Sequence, residues 1–313
     1  MKTPLKVVFM GTPAFAVPSL RSLIEAFDVA AVVTRPDRPR GRGGRVEPSP
    51  VKALAAERGI EVLQPERMKD EAFVRRLGEL APDVVAVVAY GRILPGEVID
   101  LPRLGCVNLH ASLLPRYRGA SPINHAIING DAYTGVSTML MDRGMDTGPV
   151  LLTEKVAIGP DETAGELSER LAEIGAPLLQ RTITLLGEGG ITPRAQDGSL
   201  ATYAPMLTKA DGELDWRLGA EEIKNRVRGL HPWPGTHTCL RGGRIKVHAG
   251  RVSETAGARG EPGEITDVSA DGITVRCGRG AFVITELQPE NKRRMAAADF
   301  IKGYHVKAGE SFA

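Results

Sequence analysis

Four side chains in this chain are suited to moving charge and protons. Asn108 and His110 lie in CVNLHASLLPRYRG (106–119), and Asp142 and Asp146 lie in MDRGMDTGPV (141–150). Asn108 and His110 are two apart in a short apolar run, so on a strand both face the same side. An Asn amide can donate to a developing oxyanion, and one such donor is worth about 3–4 kcal/mol in a transition state. A histidine, titrating near neutral pH, can shuttle a proton for about 10²- to 10⁴-fold in rate. Each residue also has a structural reading: Asn108 as a turn cap, His110 as a hydrogen-bonded structural group. A carboxylate in a glycine-punctuated loop could orient His110 and hold its imidazolium form. Both Asp146 and Asp142 qualify, and periodicity does not choose between them. His125, His231 and His237 read as structural or surface groups.

Other chemistries lack their residues. GTPAFA (11–16) follows the first apolar run but does not have GxGxxG spacing, and neither a Walker A sequence nor Gly-x-Ser-x-Gly nor His-Glu-x-x-His occurs. Cys106, Cys239 and Cys277 are odd in number and far apart, which supports neither a disulfide framework nor a structural zinc site. An amide, an imidazole and a carboxylate without a nucleophile suit an enzyme whose substrate supplies the nucleophile.

The elements that would position these groups follow from periodicity. KVVFM (6–10), DVAAVVT (28–34), DVVAVVA (83–89) and GCVNLH (105–110) are continuous apolar runs, the pattern of parallel strands buried on both faces. Helical spacing recurs between and after them, in PAFAVPSLRSLIEAF (13–27), VKALAAERG (51–59), DEAFVRRLGELA (70–81) and a long stretch over 162–189. The expected class is α/β, a Rossmann-like open, mostly parallel sheet with helices on both faces, whose ligand sites lie at the C-terminal strand ends. After residue 190 the pattern changes to a turn-rich connector and a helix over 220–230. Short strands follow, with turns at Gly242-Gly243 and Asp271-Gly272, suggesting a small barrel or sandwich. The expected division is a catalytic domain over 1–189, a linker over 190–207 and a second domain over 208–313.

Net charge is only +2, yet RPDRPRGRGGR (35–45) sets five arginines against one aspartate. Its prolines exclude helix, its glycines permit mobility, and guanidinium forks suit phosphates. Lys292, Arg293 and Arg294 form a weaker basic cluster. No window approaches the roughly 20 apolar residues of a membrane span, and the N-terminal apolar run is too short for a signal peptide. A cytoplasmic protein is expected, and with no segment suggesting assembly, a monomer.

Asn108-x-His110, SLLPRYRG (112–119) and Asp146 in MDRGMDTGP together resemble the signature of the 10-formyltetrahydrofolate-dependent formyltransferases. The arginine-rich stretch with the helix after it, ATYAPMLTKADGELDW (201–216), VRGLHPWPGTHT (227–238) and LQPENKRRM (287–295) resemble the members of that family acting on methionyl-initiator tRNA. The resemblance implies transfer of the formyl group of 10-formyltetrahydrofolate to the free α-amine of methionine on initiator tRNA, for translation initiation, without a metal. It implies Asn108 on the oxyanion, and His110, coupled to Asp146, on the amine proton. Val88, Ala89, Tyr90, Gly91, Arg92, Ile93, Leu94 and Asp142 would hold the folate, with Ser112, Leu113, Leu114 and Pro115 shaping its formyl end. Arg38, Arg40, Arg42 and Arg45 would meet the acceptor stem end. The second domain would be an OB-like β-barrel with Lys209, Lys292, Arg293 and Arg294 near phosphates, and no obligate protein partner is implied. The alternatives are a formyltransferase for a small nucleotide-linked amine, opposed by the basic loop and second domain, and a non-catalytic RNA-binding module, opposed by the Asn–His–Asp set.

Overall fold

The computed structural model describes residues 5–40, 45–253 and 260–313, which form two compact units. The first takes in Met1–Pro122, Tyr133–Ala157 and Ser168–Ala204; the second takes in Ile123–Ala132, Ile158–Leu167 and Pro205–Ala313.

The strands of the first unit are β1 (Lys6–Gly11), β2 (Asp28–Val33), β3 (Arg38–Arg40), β4 (Arg45–Glu47), β5 (Glu61–Leu63), β6 (Val84–Val88), β7 (Cys106–His110), β8 (Arg118–Gly119), β9 (Tyr133–Leu140), β10 (Val150–Ala157) and β11 (Tyr203–Ala204). Seven of them make one sheet in the order β10-β9-β7-β6-β1-β2-β5. From β5 to β7 the neighbours are parallel, while β9 runs antiparallel to β7 and β10 to β9. The chain order reverses between β1 and β6, which opens a crevice at their C-terminal ends. Thr12, just beyond β1, stitches that edge: its hydroxyl donates to the Tyr90 carbonyl at 3.3 Å and accepts from the Arg35 amide at 3.4 Å.

Helices α1 (Val17–Ala26), α2 (Pro50–Glu57), α3 (Glu71–Leu80), α4 (Gly96–Ile99), α5 (Pro122–Ile128) and α6 (Ala164–Glu188) accompany these strands along the chain, all but the first residue of α5 and the first four residues of α6 counting with the second unit. Asp70 caps α3 by accepting from the Phe73 amide at 3.0 Å, and Ser49 caps α2 by accepting from Lys52 at 3.1 Å. Phe73 and Leu77 of α3 pack with Val8, Met10, Val85, Val87 and Cys106 on one face of the sheet. Leu109 packs on α6, so closely that a Cβ at Gly175 would stand 2.6 Å from it. Since Leu109 lies between Asn108 and His110, its burial on α6 turns both polar neighbours to the opposite face.

The second unit adds α7 (Ala220–Gly229), α8 (Ala297–Tyr304), β12 (Thr236–Leu240), β13 (Gly243–Val252), β14 (Ile265–Ser269), β15 (Gly272–Arg276), β16 (Ala281–Pro289) and β17 (Met295–Ala296). Its antiparallel sheet runs β12-β13-β16-β15-β14, with β17 on β16. Ile223 and Val227 of α7 and Phe300 of α8 share a core with Ile245, Val247, Ile273 and Phe282. Both hairpin turns fall one residue earlier than expected. The first is Arg241-Gly242, at φ 50° and 77°, the left-handed pair that matches strand twist in a two-residue turn. The second is Ala270-Asp271. No helix among the described residues is long and apolar enough to cross a membrane.

Candidate active site

At the end of β7, His110 stands opposite Ser137 of β9 and Asn108 opposite Met139. Asn108 is half-buried and His110 only 6% exposed. The His110 Nε2 is 2.9 Å from the Tyr117 carbonyl oxygen. A carbonyl only accepts, so Nε2 carries a hydrogen and Nδ1 is the nitrogen that gains and loses a proton. Nδ1 lies 3.7 Å from the Asp146 Oδ2, too far for a hydrogen bond and close enough for an ion pair. The imidazole is therefore oriented by the Tyr117 carbonyl, with the Asp146 carboxylate beside Nδ1. Geometry also separates the two aspartates. Asp146 Oδ2 accepts from the Gly119 amide at 2.8 Å. The exposed Asp142 instead accepts from the Gly144 amide at 3.0 Å and the Thr147 hydroxyl at 2.7 Å, tying its own loop.

Several residues outside the chemical set complete this arrangement. The Gln196 Nε2 donates to the carbonyls of Asp146 and Gly148, at 2.9 and 2.7 Å, and its Oε1 accepts from buried Arg118 at 2.8 and 3.2 Å. The Thr202 hydroxyl accepts from the Tyr117 amide at 2.9 Å. Buried Ser137 donates to the Ser112 carbonyl at 2.7 Å and accepts from the Leu114 amide at 3.2 Å. Arg118, inside SLLPRYRG, and Thr202, inside ATYAPMLTKADGELDW, lie in stretches that the sequence marks, whereas Gln196 and Ser137 do not.

The backbone is strained where these groups meet. Among the described residues, seven non-glycines have positive φ. Ala81 and His305 end helices, while Arg241 and Asn291 lie in turns beside strands. The other three are Ala89, Tyr117 and Asp146, at 47°, 58° and 52°. Such residues cost about 1–3 kcal/mol each and persist where neighbours over-determine them.

Of the residues expected to hold a folate, Val88 is buried at the end of β6, and left-handed Ala89 and Gly91 follow it. The Tyr90 ring is core, with its hydroxyl 3.1 Å from the Met68 sulfur and pushed above its ordinary pKa by burial. Arg92 donates to the carbonyls of Pro65 and Glu66 at 3.0 and 2.8 Å, and Leu94 is buried. Ile93 is 86% exposed, and Met145, in the aspartate loop, 61%. Ser112 and Leu114 are buried; Leu113 and Pro115 are half-buried. Burial pushes the nearby Cys106 thiol up to about 12, so it is no nucleophile at neutral pH. Among the described residues no group of His, Cys, Asp and Glu could hold a metal ion.

The arginine-rich segment is a hairpin of β3 and β4, with Arg38 opposite Glu47 and Arg40 opposite Arg45; Arg42 lies outside the described residues. Arg38 is exposed. At the foot of the hairpin, Asp37 pairs with Lys52 and accepts from Gln64 at 3.0 Å, while Gln64 also donates to the Arg35 carbonyl at 2.9 Å. The Lys52 hydrogen bond holds the Asp37 carboxyl below its usual range. In the second unit Lys209, Lys292, Arg293 and Arg294 are exposed, but Arg294 is paired with Glu286.

The formyl transferase family profile matches residues 5–183, and that of the formyl transferase C-terminal domain matches 206–305. The methionyl-tRNA formyltransferase of Geobacter sulfurreducens is 50% identical over 306 residues, covering 97% of this chain and 96% of that protein. Among solved structures, an N-formyltransferase from Helicobacter canadensis superposes with a TM-score of 0.68 at 17% identity, over 93% of this chain and 100% of that one. HypX from Aquifex aeolicus gives 0.63 at 16% identity over 98% of this chain, which spans about half (48%) of HypX. These two establish likeness of fold alone. With half its residues shared with the Geobacter enzyme along nearly the full length of both, the chain belongs to the methionyl-tRNA formyltransferase family.

Proposed function

We propose that Asn108, His110 and Asp146 carry out this family's reaction, in which the formyl group of 10-formyltetrahydrofolate passes to the free α-amine of methionyl-initiator tRNA for the start of translation. The observation behind the assignment is the His110 Nδ1 at 3.7 Å from the Asp146 carboxylate, with Asn108 two residues back on the same strand face. The amine lone pair attacks the formyl carbon and a new N–C bond forms. The bond from that carbon to N10 of the folate then breaks, and the amine proton ends on N10. The Asn108 amide donates to the oxyanion that develops on the formyl oxygen. Nδ1 of His110 takes the amine proton and delivers it to N10, while Asp146 stabilises the imidazolium in between.

The backbone of 88–94 and Asp142 line the folate cleft, and Ser112 to Pro115 shape its formyl end. Exposed Ile93 and Met145 give an aromatic ring system apolar surface to cover. Arg38, Arg40, Arg42 and Arg45 meet the end of the acceptor stem, and Lys209, Lys292 and Arg293 meet phosphates, with Arg294 already neutralised by Glu286. Residues 1–189 serve catalysis, 190–207 link, and 208–313 bind tRNA as an OB-like barrel. Support for that barrel comes from Phe312 bridging Leu240 of β12 and Ser311 bridging Glu264 beside β14, which joins the two edges of the sheet through the last residues. Both substrates place the enzyme in the cytoplasm.

The test is a transfer assay with 10-formyltetrahydrofolate and methionyl-initiator tRNA, reading formylmethionine by mass beside charged elongator tRNA and small amines. Formylation confined to the initiator, and lost in His110→Ala without loss of binding, supports the assignment. Activity on small amines alone overturns the acceptor, and full turnover by His110→Ala overturns the residue.

A further inference from the structure

Gln196 lies in the stretch that sequence marks only as a linker. We infer that it is a positioning residue for Asp146, held in turn by Arg118; this rests on the catalytic reading above. A carboxamide offers two donor hydrogens and one acceptor oxygen. Gln196 spends both kinds at once, donating to the carbonyls of Asp146 and Gly148 and accepting twice from the Arg118 guanidinium. Arg118 is 6% exposed, and a buried guanidinium is tolerated only where it is paired or hydrogen-bonded.

The segment that Gln196 grips has a strained backbone. Asp146 sits at φ 52°, and Gly148 comes so close to the Leu140 carbonyl that a Cβ would stand 1.8 Å from it. The residue after Arg118, Gly119, gives its amide to the Asp146 carboxylate. Arg118 and Gly119 thus fix one loop twice, through Gln196 on its main chain and directly on its acid. Without the carboxamide donors, the main chain of 146–148 is free to relax from the left-handed conformation, and the carboxylate leaves Nδ1 of His110. The linker itself stays in place, because Val150 and Arg194 exchange two backbone hydrogen bonds of 2.8 Å.

The experiment compares Gln196→Leu, Gln196→Glu, Asp146→Asn and the double variant Asp146→Asn/Gln196→Leu by steady-state kinetics on the full chain with methionyl-initiator tRNA. Gln196→Glu keeps an acceptor for Arg118 and has no donor for the two carbonyls. Displacing a catalytic group by about 1 Å costs on the order of 100-fold, so both Gln196 variants should lose roughly 10- to 100-fold in kcat with the KM for 10-formyltetrahydrofolate unchanged within about twofold. The double variant should be no slower than Asp146→Asn, because two changes to one device are not additive. If Gln196→Leu melts below the assay temperature, Gln196→Glu decides. Full kcat in the Gln196 variants beside a crippled Asp146→Asn overturns this inference alone. Full kcat in Asp146→Asn overturns the catalytic reading beneath it, and the inference with it.

Discussion

The aspartate loop over 141–148 and the arginine hairpin over 35–47 both follow strand ends of one sheet, and both combine glycines with charged side chains. They are organised in opposite ways. In the aspartate loop the working charge is drawn inward: the Asp146 side chain is 17% exposed, its carboxylate takes the Gly119 amide, and Gln196 binds its main chain. In the hairpin it is the foot that is tied. Asp37, Lys52 and Gln64 lock the entry, Thr34 and Ser49 share a buried 2.9 Å hydrogen bond beneath it, and Arg38 is exposed. A proton transfer needs its groups placed within a fraction of an ångström. Contact with a phosphate backbone needs reach and net charge, and tolerates movement.

That contrast is broken most directly at the chemical end. Asn108→Ala removes the oxyanion donor and should lower kcat by about 10²- to 10³-fold with little change in either KM. Within the aspartate loop the sharper comparison is Asp146→Asn against Asp142→Asn. Asp146→Asn removes the charge facing Nδ1 and should act on kcat. Asp142→Asn keeps an oxygen for the Gly144 amide and the Thr147 hydroxyl, so it should act on the KM for the folate donor and leave kcat within roughly threefold. Equal kcat losses in the two variants would mean that the inward and outward acids do the same work.

How far such differences could be read from sequence depends on the range of the interaction concerned. Strands β1 and β6 were legible because KVVFM and VVAVV are buried almost throughout, and α3 because Phe73, Val74 and Leu77 recur at helical spacing on one face. Alternation alone put Asn108 and His110 on one side. The choice of Asp146 over Asp142 was not legible in periodicity and came only from the family resemblance, since the geometry behind it depends on the Gly119 amide 27 residues away. Gln196 was less so, because its partners are 48 to 78 residues distant and carry no periodic signal. Helix α4 has only four residues, too few to show a period. The hairpin turn shifted by one because Arg241 adopts the left-handed conformation that glycine would be expected to supply.

At the recognition end the expected losses are smaller. Lys52→Met unties the foot of the hairpin without touching its arginines. It should lower kcat/KM for methionyl-initiator tRNA by about tenfold, or about 1.4 kcal/mol, while leaving the KM for 10-formyltetrahydrofolate alone. Arg38→Ala should weaken tRNA use by a few-fold and flatten its dependence on salt, since one phosphate contact contributes roughly one unit of slope in log–log form. A Lys52→Met enzyme with unchanged tRNA kinetics would show that the foot is mere structure and that the arginines alone set recognition.

The smallest effect concerns what the foot contributes to stability. The Lys52 hydrogen bond lowers the Asp37 carboxyl below its ordinary value. A depressed carboxyl stabilises the fold above its unfolded pKa of about 4, and that contribution is lost as pH falls through the folded value. The two side chains are 28% and 22% exposed, so solvent screens the pair and its worth should stay below about 1 kcal/mol. The wild-type protein should therefore melt a few degrees above Lys52→Met at pH 7, roughly 2 °C for a chain of this size, and the gap should close as the buffer approaches pH 2. Thermal melts of the two proteins across that range measure it. A gap that persists in acid would mean that the Lys52 hydrogen bond to Gln64, which does not titrate, and not the ion pair with Asp37, ties the foot, and the foot would then resemble the hydrogen-bonded aspartate loop.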